Sequence, residues 1–510
     1  MTGIDYDLCV IGGGINGAGI ARDAAGRGLK VLLLEAQDLA SGTSSSSTKL
    51  IHGGLRYLEY YEFKMVRDAL IERERLLSIA PHIIWPMDFV LPHTPAQRPA
   101  WMIRLGLCLY DYLAPRKKLA ASSSLSFHAD DRGAPILDDF KRGFSYADCW
   151  ADDSRLVVLN ALSASQHGAK ILTRHRCVGL EAQGQRWRVT YQAEGSRSEA
   201  ISVHASMVIN AAGPWVRTLL DQQSDFSSDD TLPSVRLVKG SHIIVPRQFE
   251  GEHAYILQQS DNRIIFAIPY EHDYTLIGTT EEDLVGDPKD ARISDDEMSY
   301  LINAYNLFFK VAISKDDVQW TYSGVRPLYS EVESGAQGNA TSATRDYKLH
   351  VHDDFAAPII SVFGGKLTTY RKLAEQAVDK ILKINGRNSK AWTADEPLPG
   401  GDIKDQDFDA FLVTQGQRYK WLPKKLLYRY ARSYGTSMDV FLQGARQIQD
   451  LGEDFSGHVF EAEILYLLRY EFAQTVEDIL WRRSKLGLHV DDRVVKNLAG
   501  YIRLYWKDRM

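Results

Sequence analysis

Cysteine is scarce. The 510 residues hold four, Cys9, Cys108, Cys149 and Cys177, too far apart for a CxxC pair, which excludes a zinc ribbon, a dithiol redox centre and a disulfide framework. Excess charge of one sign is missing as well. Sixty Lys and Arg against 66 Asp and Glu leave −6, so nothing global favours nucleic acid and any anion site must be local. No stretch near 18 uninterrupted apolar residues exists, which excludes a spanning helix. The first residues, with Asp5 and Asp7, show neither a basic n-region nor an apolar h-region, and a reducing cytoplasmic setting is expected. HExxH, Walker A and fixed-period repeats are absent. His52-Gly53-Gly54 resembles a hydrolase oxyanion loop, but no GxSxG accompanies it. Asp405, Asp407 and Asp409 have EF-hand spacing, yet Ala410 and Gly416 occupy positions needing glycine and glutamate, so no metal site is expected.

What is present is apolar mass. A content of 45% hydrophobic and 10% aromatic residues supports a large packed interior, and the length suggests about three domain-sized units. Tyr6 to Ile11 and Lys30 to Leu34 read as buried parallel strands, separated by an Ala- and Gly-rich helix over Ile15 to Arg27. A long helix is expected over Leu58 to Ser78, and a strand and turn over Val203 to Ala212. Ser241 to Pro246, Arg263 to Pro269 and Tyr274 to Gly278 alternate like an antiparallel sheet, flanked by polar loops at 223–234 and 331–345. Ile359 to Phe363 reads as another buried strand, followed by a helix from Thr369 to about Ile384. Asn385 to Lys404 reads as a linker. Beyond it the chain is mostly amphipathic helix, most clearly in the series Ile464, Leu467, Leu468, Phe472, Val476, Ile479 and Leu480.

Gly12, Gly14 and Gly17 form G-x-G-x-x-G directly after a strand and at a helix start. The first permits a tight turn, the second lets a pyrophosphate approach, and the third lets helix and strand pack closely. Glu35 ends the second strand, where a carboxylate would accept from ribose hydroxyls. This unit binds a dinucleotide, but it does not separate FAD from NAD. Three later features favour FAD: the serine run 41–47, the Asn210 to Trp215 turn, and Gly364-Gly365 before a helix whose N-terminus can stabilise negative charge on a reduced flavin.

Five blocks now carry a resemblance. Gly12 to Gly19, Ser45 to Tyr57 (SSSTKLIHGGLRY), Lys239 to His242, Tyr322 to Pro327 and Phe363 to Arg371 (FGGKLTTYR) closely resemble the FAD-dependent, quinone-linked glycerol-3-phosphate dehydrogenase family over nearly the whole chain. The resemblance implies an α/β fold: a glutathione-reductase-like FAD-binding domain interleaved with an antiparallel-sheet substrate domain, plus an all-α C-terminal domain. The expected boundaries are 1–90, 145–222 and 356–388 for the FAD domain, 91–144 and 233–350 for the substrate region, and 403–510 for the helical domain. Cofactor contacts are expected from Gly12, Gly14, Gly17, Glu35, Ser45, Ser46, Thr48, Lys49, Gly53, Gly54, Ala212, Gly213, Gly365, Lys366, Leu367 and Thr368.

A phosphorylated secondary alcohol needs cations for its phosphate and a group that takes the alcohol proton as hydride leaves for the flavin. Arg56, Tyr57 and Arg345 are expected to bind substrate, and Arg326, Lys366 and His242 to act in catalysis. Arginine offers bidentate phosphate contacts and lysine a point charge. His242 is the conventional base, since histidine titrates near neutrality; Arg326 or Lys366 stabilising the alkoxide is the alternative.

The apolar and aromatic segment Pro99 to Leu113, with Arg98, Arg104, Arg116, Lys117 and Lys118 around it, is too short to span and suits an interfacial segment on an anionic leaflet. A buried core helix is an equal reading from the residues alone. The resemblance implies peripheral association with the cytoplasmic face of the inner membrane and ubiquinone as acceptor, with sn-glycerol 3-phosphate as substrate. A homodimer is an allowed assembly. The rivals are an FAD-dependent glycerol-3-phosphate oxidase using oxygen, an amine or amino-acid oxidase of the same fold, and a non-catalytic dinucleotide sensor.

Overall fold

The computed structural model describes residues 5–94, 97–195, 199–222, 234–330, 346–352 and 357–507. Arg345, the polar stretch 331–345 and nearly all of 223–234 lie outside them.

Strand β1 (Tyr6–Ile11), helix α1 (Ile15–Gly26) and strand β2 (Val31–Leu34) open the chain. The two strands pair in parallel, Leu8 opposite Val31 and Ile11 opposite Leu34. On the other edge of β1 lie Ile201–Asn210 and then Ile359–Gly364, both parallel, while Lys170–Leu172 extends the sheet beyond β2. Tyr347–His352 closes one edge antiparallel. Both faces are buried, which is why these strands read as continuous apolar runs. One face packs on α1 and the helices Asp153–Gln166 and Tyr370–Ile384; the other gathers around Trp187. α1 lies close because its small residues allow it: a Cβ at Gly19 would stand 2.8 Å from the Tyr370 ring.

The second, ten-stranded sheet is antiparallel apart from one parallel contact between Ala254–Gln258 and Ile84–His93. Period-two alternation divides its sides: Ile243 and Val245 pack with the helix Asp295–Asn306, whereas Ile244 faces the helices Phe63–Ile79 and Ala100–Tyr112. The expected boundaries near 90 and 145 fall inside the strands Ile84–His93 and Arg142–Ala151, which pair with each other in this second sheet along with Leu50–Ile51. Phe89 and Val90 are buried on opposite faces, so their pattern carries no mark of which sheet they join.

The C-terminal helices, from Phe408–Arg418 to Asp492–Lys507, enclose their own core. The expected single helix through Ile464 to Leu480 is broken. An α-helix Glu461–Tyr470 stops, Phe472 takes φ +60°, and a π-helical turn follows at Asp478–Arg483. The cause is polar: the Asp478 carboxylate accepts from the Gln474 and Thr475 amides, and Glu471 turns to Arg155. Likewise the expected helix from Leu58 is a 3₁₀ turn, Leu55–Tyr60, a left-handed Tyr61 at φ +61°, and only then the helix Phe63–Ile79. The linker is docked rather than loose, with Trp392 seated against Gly26 and the Leu398 amide bonded to the Ile79 carbonyl.

Candidate active site

The glycine turn is built by contacts that admit no side chain. Gly12 has φ +111°, and a Cβ on it would stand 2.4 Å from the Ala211 carbonyl oxygen; one on Gly17 would stand 1.9 Å from that of Gly12. Glu35 accepts from the Gly13 amide at 2.6 Å and the Gln37 amide at 2.7 Å, leaving each oxygen a further lone pair for a hydroxyl. Burial pushes its pKa upward against those bonds. Ser44 Oγ accepts from the Ile15 amide at 3.0 Å, which ties the serine run to the start of α1.

That run lies on the strand Trp320–Ser330 of the second sheet. Thr43 donates to the Val325 carbonyl, Tyr322 donates to that of Ser47, and Gly324 is flat where Ser46 approaches. Antiparallel pairing sets His242 opposite Tyr322 and Gly240 opposite Gly324, so alternate residues of two strands face the serines. His242 stacks on Tyr322 at 4.7 Å, its Nε2 lies 3.0 Å from Thr48 Oγ1, and its buried Nδ1 has no hydrogen-bond partner among the described residues. Burial, Arg326 and Lys49 hold its pKa well below 6.5, so the ring is neutral. Arg326 meets Glu281 at 3.1 Å, both about one-third exposed.

A second cluster flanks the other end of the short strand Leu50–Ile51. Lys366 Nζ sits 4.3 Å over the Tyr57 ring and donates to Met65 Sδ at 3.2 Å. Tyr57 packs on left-handed Gly54. Arg56, half-buried on the same turn, makes no ion pair among the described residues. Thr368 Oγ1 bonds the His52 amide at 3.3 Å, and Leu367 is partly buried against the first core. The Gly53 amide goes to Tyr110. Gly365 (φ +107°) abuts the Asn16 carboxamide, whose buried Oδ1 lacks a partner among the described residues. Gly213 has φ +57° and open space before it, and the Ala212 amide is bonded to Asn210.

Not every candidate belongs to these two clusters. The Lys49 ammonium is buried on Asp153 at 2.8 Å and on the Ser45 carbonyl, and Ser45 Oγ reaches the Gly42 carbonyl. Sequence reasoning passed over Ser44 and Asn16 as individual residues; a polar residue amid the small residues opening α1 was the available signal. His52 was set aside with a failed hydrolase motif, and the structure puts its backbone against Thr368.

The orphaned Asn16 oxygen, the side-chain-free turn at Gly12 and Gly17, and the spare lone pairs of Glu35 suit a dinucleotide. The family described as FAD dependent oxidoreductase matches residues 7–357, and the C-terminal domain of alpha-glycerophosphate oxidase matches residues 391–507. The chain is 47% identical over 506 residues to the aerobic glycerol-3-phosphate dehydrogenase of Escherichia coli, covering 99% of this chain and 98% of that one. The chain belongs to the FAD-dependent glycerol-3-phosphate dehydrogenase family. A second relative, the D-erythritol 1-phosphate dehydrogenase of Brucella abortus, is 49% identical over 486 residues, 95% of each chain. The glycerol-3-phosphate dehydrogenase of Bacillus halodurans, solved with FAD, superposes with a TM-score of 0.76 at 27% identity, covering 98% of this chain and 90% of that one. The cofactor of this family member is FAD, and the interleaved α/β fold with a helical C-terminal domain is the family's.

Proposed function

We propose that the chain oxidises sn-glycerol 3-phosphate to dihydroxyacetone phosphate and passes the electrons to ubiquinone at a membrane. The observation that carries this reading is the pair of clusters around Leu50–Ile51. One holds cations that pair with no carboxylate among the described residues, and the other holds a neutral imidazole beside an arginine. Arg56 and Lys366, with Arg345, take the phosphate dianion. Tyr57 fixes the lysine. Arg326 stabilises the oxyanion that develops at the secondary hydroxyl, and the partnerless Nδ1 edge of neutral His242 accepts its proton. Gly12, Gly14, Gly17 and Asn16 hold the diphosphate, Glu35 the adenosine ribose. The segments with Ser45, Ser46, Thr48, Lys49, Gly53 and Gly54, with Ala212 and Gly213, and from Gly365 to Thr368 hold the flavin half. Bound FAD supplies the hydride acceptor.

The membrane step rests on the helix Ala100–Tyr112. No described helix is long and apolar enough to cross a bilayer, but Trp101, Leu105, Leu109 and Tyr112 stand exposed along one side, Trp101 by 67% and Tyr112 by 80%. Tyr60 and Tyr61 are exposed nearby in the chain that packs on it. Arg98 and Arg116 pair with Glu59 and Asp111, and Lys118 bonds a backbone carbonyl, so aromatic insertion supports the contact more than charge does. Vesicle flotation of wild type against a variant altered at Trp101, Arg116, Lys117 and Lys118 tests it; equal binding refutes this placement.

One observation favours a second substrate. The Brucella relative's name specifies D-erythritol 1-phosphate, which presents the same phosphate and a neighbouring secondary alcohol on a longer chain. The deciding experiment is anaerobic bleaching of the flavin by glycerol 3-phosphate, erythritol 1-phosphate, glycerol and NADH in parallel. Bleaching by glycerol without phosphate would overturn the role of the cations, and a stoichiometric peroxide yield in air would point to the oxidase.

A further inference from the structure

We propose that Arg482 and Arg483 of the C-terminal domain are positioning residues for FAD, acting through Asp38 on the turn that presents Glu35. Asp38 follows Glu35 by three residues and is 1% exposed. Its carboxylate accepts from Arg483 Nη2 at 2.8 Å and Arg482 Nε at 2.5 Å. Two consecutive arginines reach one carboxylate from the π-helical turn Asp478–Arg483, a geometry wider than an α-helical turn and often found at functional places.

The same turn holds the Glu35 segment from a second side. The Arg174 amide donates to the Gln37 carbonyl at 2.6 Å and that of His175 to the Glu35 carbonyl at 2.8 Å. The Arg174 guanidinium meets Asp478 at 2.9 Å, and Arg482 meets the same carboxylate at 2.6 Å. The segment's far end returns to the glycine turn, where the Ala40 amide donates to the Gly13 carbonyl at 3.1 Å. Past the end of β2, then, the loop that aims Glu35 is anchored to the fingerprint itself and to a helical turn some 445 positions away. Charge-assisted bonds in a dry seam are directional, and removing Arg483 or the Asp38 carboxylate leaves buried charge only partly compensated, which shifts the loop.

The inference rests on Glu35 taking the ribose hydroxyls. Apoproteins of wild type, Arg483→Gln, Asp38→Asn and Glu35→Gln are checked for fold by circular dichroism and thermal melting. Each is then titrated with FAD and, separately, with ADP, which carries only the adenosine half. Arg483→Gln and Asp38→Asn are expected to raise both dissociation constants at least tenfold. At saturating FAD, their kcat and KM for glycerol 3-phosphate stay within twofold of wild type, a split that general destabilisation does not produce. Unchanged ADP affinity in both variants, with Glu35→Gln weakened, overturns the positioning role alone. Unchanged affinity in Glu35→Gln overturns the ribose reading and the proposal with it. Should Arg483→Gln fail to fold, Arg482→Gln, at the more open edge of the seam, carries the same test.

Discussion

Two groups of cations in this molecule are treated in opposite ways. Along the seam between the first domain and the C-terminal helices, Arg155, Arg482 and Arg483 are buried and each meets a carboxylate, Glu471 for the first and Asp38 for the others. Around Leu50–Ile51, Arg56 and Lys366 meet none among the described residues, and Arg326 meets Glu281, which is about one-third exposed. A guanidinium taken out of water without a counter-charge costs several kcal/mol, so the seam's pairing is what folding requires. Cations kept short of carboxylates leave their field for an anion from solution. On the proposed function, cationic side chains thus serve architecture or binding according to whether the fold supplies their partner.

That contrast breaks most sharply at Arg326. Arg326→Ala is expected to lose about 10³-fold in kcat/KM while keeping its flavin; near-normal turnover of a flavin-loaded preparation would remove Arg326 from the chemistry. At the seam the reverse split is expected. Arg155→Met strands the Glu471 carboxylate and costs about 3–5 kcal/mol, seen as an earlier urea midpoint, with an unchanged KM for glycerol 3-phosphate. A raised KM with no stability loss would erase the distinction. Lys366→Ala falls between, with kcat/KM down roughly 10–100-fold, the worth of a charged hydrogen bond, and weaker competition by inorganic phosphate. If both stay as in wild type, the lysine is not part of the anion site.

The smallest effect sharpens the rule from an exception. Glu271, in the hairpin that packs on the C-terminal helices through Tyr274 and Leu488, has no ion-pair partner among the described residues. Burial and Asp152 raise its pKa to about 7 against the pull of Lys485, Lys49 and Arg429. A carboxyl raised in the folded state favours folding in its protonated form. Its contribution is complete below about pH 4.5 and is lost as pH rises through about 7. Glu271→Gln is therefore expected to raise the melting temperature by a few degrees at pH 8.5 and by little at pH 4.5. A pH-independent difference would show that the group is not titrating there.

The glycine fingerprint, the flanking strands and the helix to Ile384 were legible because each is a local pattern whose period or turn chemistry is complete within some twenty residues. The apolar helix Ala100–Tyr112 was legible as an amphiphile, though not as an exposed one, since an unpartnered face and a buried one have the same spacing. What could not be read was anything decided by a partner far away in the chain. Lys49 belongs to Asp153 rather than to an open anion site, Asp38 to Arg483, and the break after Tyr470 to Asp478 and Arg155. The facing of His242 and Arg326 toward the serine run needed strand register, which no single strand records.

The order of strands in the first sheet also sets a timetable. β1 leaves the ribosome first, yet on the side away from β2 its neighbours are Ile201–Asn210 and, beyond that, Ile359–Gly364. At about 5–20 residues per second, the last of these follows roughly 20–70 s later. For that interval two apolar strands and a glycine turn wait without the edge that completes them, a long separation of the kind that slows folding. The first sheet is therefore completed only once nearly three-quarters of the protein has been made, and until then the apolar edge of its earliest strands stays open.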